Sequence, residues 1–208
     1  MAKFKLVFVL SAFLLNGCIN SQNKKINNLV GGPCEGCEAI YEYGDKNLTP
    51  IDTLPEFKVL PDPIKISGTV YKLDGKTPAP NVILYVYHTN DKGIYPKREN
   101  SKGWESRHGY LREWIKTGSD GKYTFFTSRP ASYPNTTIPQ HIHITVKEPG
   151  KNEYYIADYY FIDDPNLPDR IKDRTNHRGG SGIITLSKEG SLQIANRDII
   201  LGKNIPDY

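Results

Sequence analysis

At 208 residues, with 27 basic side chains against 23 acidic ones and a formal net charge of +4, the chain is close to charge balance. It is long enough to bury one full hydrophobic core. Basic residues are interleaved with acids, as in Lys97-Arg98-Glu99 and Lys172-Asp173-Arg174, so the single-sign stripe that a nucleic-acid face requires is missing.

Met1 to Lys5 is a short basic start, Leu6 to Leu15 is an apolar run, and Leu15-Asn16-Gly17-Cys18 follows. That run has the length of a signal-peptide core and is too short for a membrane span, which takes about 20 apolar residues. The tetrapeptide resembles a bacterial lipobox, in which Cys18 would be lipidated and become the mature N-terminus. Residues 1–18 are therefore expected to be a signal peptide with a lipobox-like end. The mature domain would be exported and held on a bacterial membrane surface, periplasmic or cell-exterior, by its lipid anchor only. Removing Lys3 and Lys5 with the leader brings the net charge down to about +2.

Residues 19–56 read as a polar tether followed by an extended arm, and they contain Cys34-Glu-Gly-Cys37. A C-x-x-C can be a redox pair, half of a zinc site or a plain disulfide. Zinc needs two further ligands at its usual spacing, and none follows nearby. A thioredoxin-type pair belongs in a βαβ pattern, which this Gly-rich stretch does not have. In an oxidising compartment the expectation is a structural disulfide, Cys34–Cys37.

From residue 57 to 208, short β-rich runs alternate with turn signals. The runs are 64–73, 82–89, 122–127, 141–146, 154–161, 182–186 and 192–201, and Asp74-Gly75, Asp120-Gly121 and Pro149-Gly150 punctuate them. The expectation is an all-β fold: a single β-sandwich of about seven to eight mostly antiparallel strands with long loops. The only helix-like stretch is 109–116. Tyr85, Tyr87, Tyr123 and Tyr160 read as core or rim residues, His88 and His177 as surface or packing residues, and Asp163-Asp164 as a solvated strand-end turn.

The chemistry concentrates in Tyr133 to His143. His141 and His143 stand two apart in an apolar run, so on a strand both imidazoles leave the same face, with Ile142 opposite. Imidazole alone leaves zinc, copper, iron and nickel open. Tyr133 lies eight residues upstream, beyond a Pro-punctuated turn, and Tyr95 follows the run 81–89 at a turn built on Asp91 and Gly93. Phenolate is a hard, strongly donating ligand, so two tyrosines beside two histidines point to non-haem Fe(III).

The order Asp91-Lys-Gly93-Ile-Tyr95, Thr117-Gly-Ser-Asp120-Gly121-Lys-Tyr123-Thr-Phe125, Pro130-Ala-Ser-Tyr133 and Pro139-Gln-His141-Ile-His143 resembles the intradiol ring-cleavage dioxygenases. These include the protocatechuate and catechol dioxygenases, and the resemblance runs over residues 57 to 165. It implies Tyr95, Tyr133, His141 and His143 as metal ligands of Fe(III). It also implies displacement of Tyr133 by a small aromatic diol, and opening of the ring by O2 between its two hydroxyl-bearing carbons. Trp104, Arg107 and His108, on the insertion 97–116, would line the mouth of the substrate pocket. Two positions depart from the family. Ile138 stands where an arginine usually precedes the first ligand histidine, and Asp158 stands where a glutamine is usual. Arg107, His108 or Arg129 could compensate. A rival resemblance, carried by 66–82 and 119–125, is to transthyretin-like or carboxypeptidase-regulatory modules, which bind partners and hold no metal. A third reading is an iron-binding relative without turnover.

Overall fold

The structure, a computed structural model, describes residues 29–208, so the expected leader and Cys18 lie outside the described residues. In chain order the elements are a 3-10 turn, Cys37–Tyr41, then β1 (Ile51–Thr53), β2 (Pro63–Tyr71) and β3 (Ile83–Tyr87). A one-turn helix α1 (Glu105–His108) precedes β4 (Arg112–Lys116), β5 (Lys122–Ser128), β6 (His141–Lys147), β7 (Tyr154–Tyr155) and β8 (Tyr159–Phe161). Helix α2 (Asp169–Lys172) is followed by β9 (Ile183–Ile184), β10 (Ser187–Glu189), β11 (Leu192–Asn196) and β12 (Ile199–Ile200). Among the described residues no helix is long and apolar enough to cross a membrane.

The strands form two six-stranded sheets, ordered β1-β5-β2-β11-β10 with β12 beside β2, and β4-β3-β6-β8-β9 with β7 beside β6. This is the expected all-β sandwich. There are more strands than the sequence suggests because β1, β7, β9, β10 and β12 are edge pieces of two or three residues, too short to show an alternating pattern. The longer strands alternate as a half-buried strand must. Every second residue of β2 is buried from Ile64 to Val70. Ile142, Ile144 and Val146 of β6 enter the core that the two sheets share with Leu84, Val86 and Phe125.

One expectation is overturned. Residues 109–116 are not helical: Arg112–Lys116 is β4, an antiparallel partner of β3 with Trp114 opposite Tyr85. Pairing with β3 decides the conformation there, and the short helix α1 ends just before it.

The outer face of the second sheet carries its own small core. Tyr85 and Trp114 project outward and are covered by Ala39 and Ile40 of the 3-10 turn, with Tyr87 and Trp104 at the margin. The Trp114 indole N–H donates to the Ala39 carbonyl at 3.2 Å. The arm is thus folded onto the outside of the sheet. Its Cys34–Cys37 stretch lies beside His143 of β6.

Candidate metal centre

β6 lies between β3 and β8, so the strand that bears both histidines is paired on each side. His141 and His143 share its outer face, as the alternation predicts. The tyrosines arrive on two loops that are tied together. The Asn90 side-chain oxygen accepts from the N–H groups of Lys92 and Ile94, both at 3.0 Å, and builds the turn before Tyr95. Ala131 N–H donates to the Asn90 carbonyl at 3.0 Å, and the Thr89 hydroxyl to the Ala131 carbonyl at 2.7 Å. Gly93, at φ 73°, lies so close to the second loop that a Cβ there would sit 2.0 Å from the Ser132 carbonyl oxygen. Only glycine allows that approach.

The four donor atoms meet at one point. Tyr95 Oη is 2.5 Å from Tyr133 Oη and 2.9 Å from His143 Nε2. Tyr133 Oη is 3.3 Å from His141 Nε2 and 3.4 Å from His143 Nε2, and the two Nε2 atoms are 3.1 Å apart. Both imidazoles are fixed from behind. His141 Nδ1–H donates to the Pro139 carbonyl at 2.7 Å, and His143 Nδ1–H to Asp158 Oδ1 at 3.3 Å. Each tautomer therefore aims a bare Nε2 lone pair at the phenol oxygens, the arrangement found behind metal-bound histidines.

Electrostatics agree with this. Burial pushes His141 below its ordinary pKa, with the neighbouring His143 adding to the effect, and favours the neutral form a metal needs. Burial raises both phenols, Tyr95 most, with its hydrogen bond to Tyr133 reinforcing the rise. A strong cation would have to supply the drive to ionise them. Two imidazoles and two hard oxygens around a common point fit a trivalent ion such as ferric iron. Asp158 also lies with His141 and His143 in a group whose donor atoms are all within 4.8 Å of one another.

The proposed substrate residues line different cavities. His108 stacks on Tyr87 with ring centres 3.9 Å apart, and Tyr87 on His143 at 4.6 Å, so a column of rings ends at a ligand. Trp104, Arg107 and His108 line a cavity of about 290 Å³ with Tyr95, Tyr133 and His143. Ile138 and Asp158 line another, of about 470 Å³. Arg112 is committed to Glu42 at 2.6 Å and Arg129 to Asp163 at 2.9 Å, with Arg129 also stacked over Phe161. The cations that do face the larger cavity are Arg170, Arg174 and Arg178. No pattern in the sequence marks them, because a connection of more than twenty residues separates them from the histidines.

Tyr87 and Tyr160, expected to be core or rim, are neighbours of the centre. Tyr160 pairs across the sheet with His141 and its hydroxyl donates to Asp158 at 3.4 Å. Asp164 is not a solvated turn residue: it is buried and accepts the Gln140 N–H at 2.6 Å, anchoring the entry to β6. His88 is a packing residue, with Thr127 on one ring nitrogen and the Thr89 carbonyl on the other. His177 is likewise buried and bonded to the Ile171 carbonyl.

Comparison with known proteins assigns the chain to a family. The family described as Dioxygenase (Dioxygenase_C) matches residues 58–188, more than half of the chain, and the chain belongs to that family. Catechol 1,2-dioxygenase 1 of Acinetobacter lwoffii is 37% identical over 86 residues, covering 39% of this chain and 27% of that protein. The beta chain of protocatechuate 3,4-dioxygenase of Burkholderia cepacia is 26% identical over 180 residues, 76% of this chain and 75% of that one. The dioxygenase domain of a dioxygenase–carbohydrate-binding fusion from Streptomyces sp. SirexAA-E superposes with a TM-score of 0.53 at 21% identity. That match covers 77% of this chain and 95% of that domain, and it speaks to the fold.

Proposed function

We propose that this chain is a non-haem Fe(III)-dependent intradiol dioxygenase that cleaves a catecholic ring between its hydroxyl-bearing carbons, using O2. The leading residues 1–18 further support export and lipid anchoring at Cys18. The observation that carries the reading is the convergence of Tyr95, Tyr133, His141 and His143, each with its donor atom within 3.4 Å of at least two of the others. A transthyretin-like binding module needs none of the four.

Tyr95, Tyr133, His141 and His143 would hold ferric iron, which would supply the Lewis acidity and electron-accepting capacity that make a diol ring reactive toward O2. The chain supplies the rest. Asp158 and the Pro139 carbonyl hold the imidazoles at Nδ1, so Nε2 of each is aimed inward. Tyr133 is the ligand with room to leave, because residues 134–138 beside it are exposed. Its oxygen would take one proton from the arriving diol. Ile138 offers an apolar wall where the family has an arginine, and Arg170, Arg174 and Arg178 are the cations that face the same cavity.

Loading the purified protein with ferric iron should give a reddish colour from tyrosinate-to-iron charge transfer, and added catechol should shift that band. Oxygen uptake with catechol, hydroxyquinol or protocatechuate, yielding a ring-opened diacid, would establish turnover. A protein that stays colourless and metal-free overturns the reading. Colour without consumption of any diol would leave the iron-binding relative, a reading that Ile138 and Asp158 favour.

A further inference from the structure

The segment just before the family-matched span closes one side of the centre. Cys34 and Cys37 are joined by a disulfide, and three contacts press the loop they form against the site. Cys37 is 2% exposed, and its sulfur lies 3.7 Å from the Thr145 hydroxyl on the same face of β6 as His143. Gly36, at φ 86°, sits so low that an added Cβ would be 3.0 Å from His108 Nε2 and 3.3 Å from the Trp104 ring. Arg107 donates to the Glu35 carboxylate at 2.6 Å. The loop therefore rests on the ring column His108–Tyr87–His143, whose last member is a candidate ligand.

Two cavities flank this contact. One, of about 270 Å³, is bounded by Cys34, Cys37, Tyr87, His143 and Asp158. The other, of about 290 Å³, is bounded by Glu35, Tyr95, Tyr133 and His108. A ring held at the tyrosines and histidines that carries a substituent on this side must direct it at residues 34–37. A disulfide across so short a loop removes less chain entropy from the unfolded state than one closing a long loop, so its main effect here is local. It fixes a loop that has few backbone hydrogen bonds of its own.

We propose that the Cys34–Cys37 loop is the wall that limits the size of the ring substituent the centre accepts, and that the disulfide holds this wall down. The inference rests on the dioxygenase reading above and adds a specificity element from outside the matched family span.

The test uses the full iron-loaded chain titrated with catechol and with 4-tert-butylcatechol, read by the change in the visible band. The intact protein should bind the bulky diol weaker by about 10-fold or more relative to catechol, as expected when a rigid pocket must admit extra carbons. Opening the loop with Cys34→Ser and Cys37→Ser together should narrow that ratio several-fold while iron content is retained. Gly36→Ala, which keeps the disulfide but lifts the loop off His108, should narrow it too, and it stands as the test if the double variant does not fold. A ratio unchanged by either substitution in iron-loaded protein overturns the wall and leaves the dioxygenase reading intact. An intact chain that takes up no iron overturns both.

Discussion

The two faces of the second sheet solve opposite problems with the same strands. On the inner face, Leu84, Val86, Ile142 and Ile144 pack against the first sheet and exclude water. On the outer face the alternate residues Tyr85, Tyr87, His141 and His143 are aromatic and polar, and they are held by stacking and hydrogen bonds beneath the folded arm. The inner face supplies rigidity and the outer face spends it. His143 is aimed by a strand whose other side cannot shift without opening the core. A break in either face should therefore show different symptoms: loss of the metal from the outer one, loss of the fold from the inner.

The largest expected effect is on the outer face. His143→Ala removes a candidate ligand and leaves the inner packing untouched, so iron content and diol oxidation should fall to background while the thermal midpoint changes little. A variant that keeps its colour would contradict the ligand assignment. Asp158→Asn comes next. It weakens the hydrogen bond that orients His143, and loss of such a supporting contact typically lowers metal affinity by about 10- to 100-fold. Competition with a chelator, together with the position of the visible band, would measure it. An affinity equal to that of the parent protein would show that Asp158 does not support the ligand.

How far the sequence disclosed these faces follows from the range of each signal. The pairing of His141 with His143 on one face is a period-2 property of seven residues, and it is legible directly. The two tyrosines are visible only through motif order, because what joins them is a contact between loops, Gly93 against Ser132, 39 positions apart in the chain. β4 looks helix-like in sequence because its state is set by β3 and not by its own pattern. The arginines beside α2 and the arm over Tyr85 carry no local signal at all. Their roles come from long-range placement.

Gly93 probes the junction between the loops. Gly93→Ala would drive a methyl into the Ser132 carbonyl, so the two loops must move apart, and the left-handed backbone position alone costs about 1–3 kcal/mol. Because the strained contact joins the Tyr95 and Tyr133 loops, the variant should combine a lowered thermal midpoint with a weakened charge-transfer band. A lowered midpoint with an unchanged band would mean that the tyrosines do not depend on that contact.

The inner face is tested at Glu113. It pairs with Val86 across the sheet, so its side chain points inward, and neither carboxylate oxygen has a hydrogen-bond partner. Burial, with Asp52 nearby, raises its pKa well above the ordinary carboxylate value, although Lys46 opposes the rise. The folded chain therefore keeps this proton when the unfolded chain has lost it. Below the unfolded value the two states bind it equally. As pH climbs above that value the unfolded state is favoured, so stability declines until the folded pKa is reached, with a slope of at most about 1.4 kcal/mol per pH unit. Glu113→Gln keeps the shape and removes the titration. In urea unfolding the variant should match the parent protein near pH 4 and gain on it steadily toward pH 7. Parallel curves across that interval would show that the Glu113 carboxyl is solvated after all, and that the inner face is less dry than its packing implies.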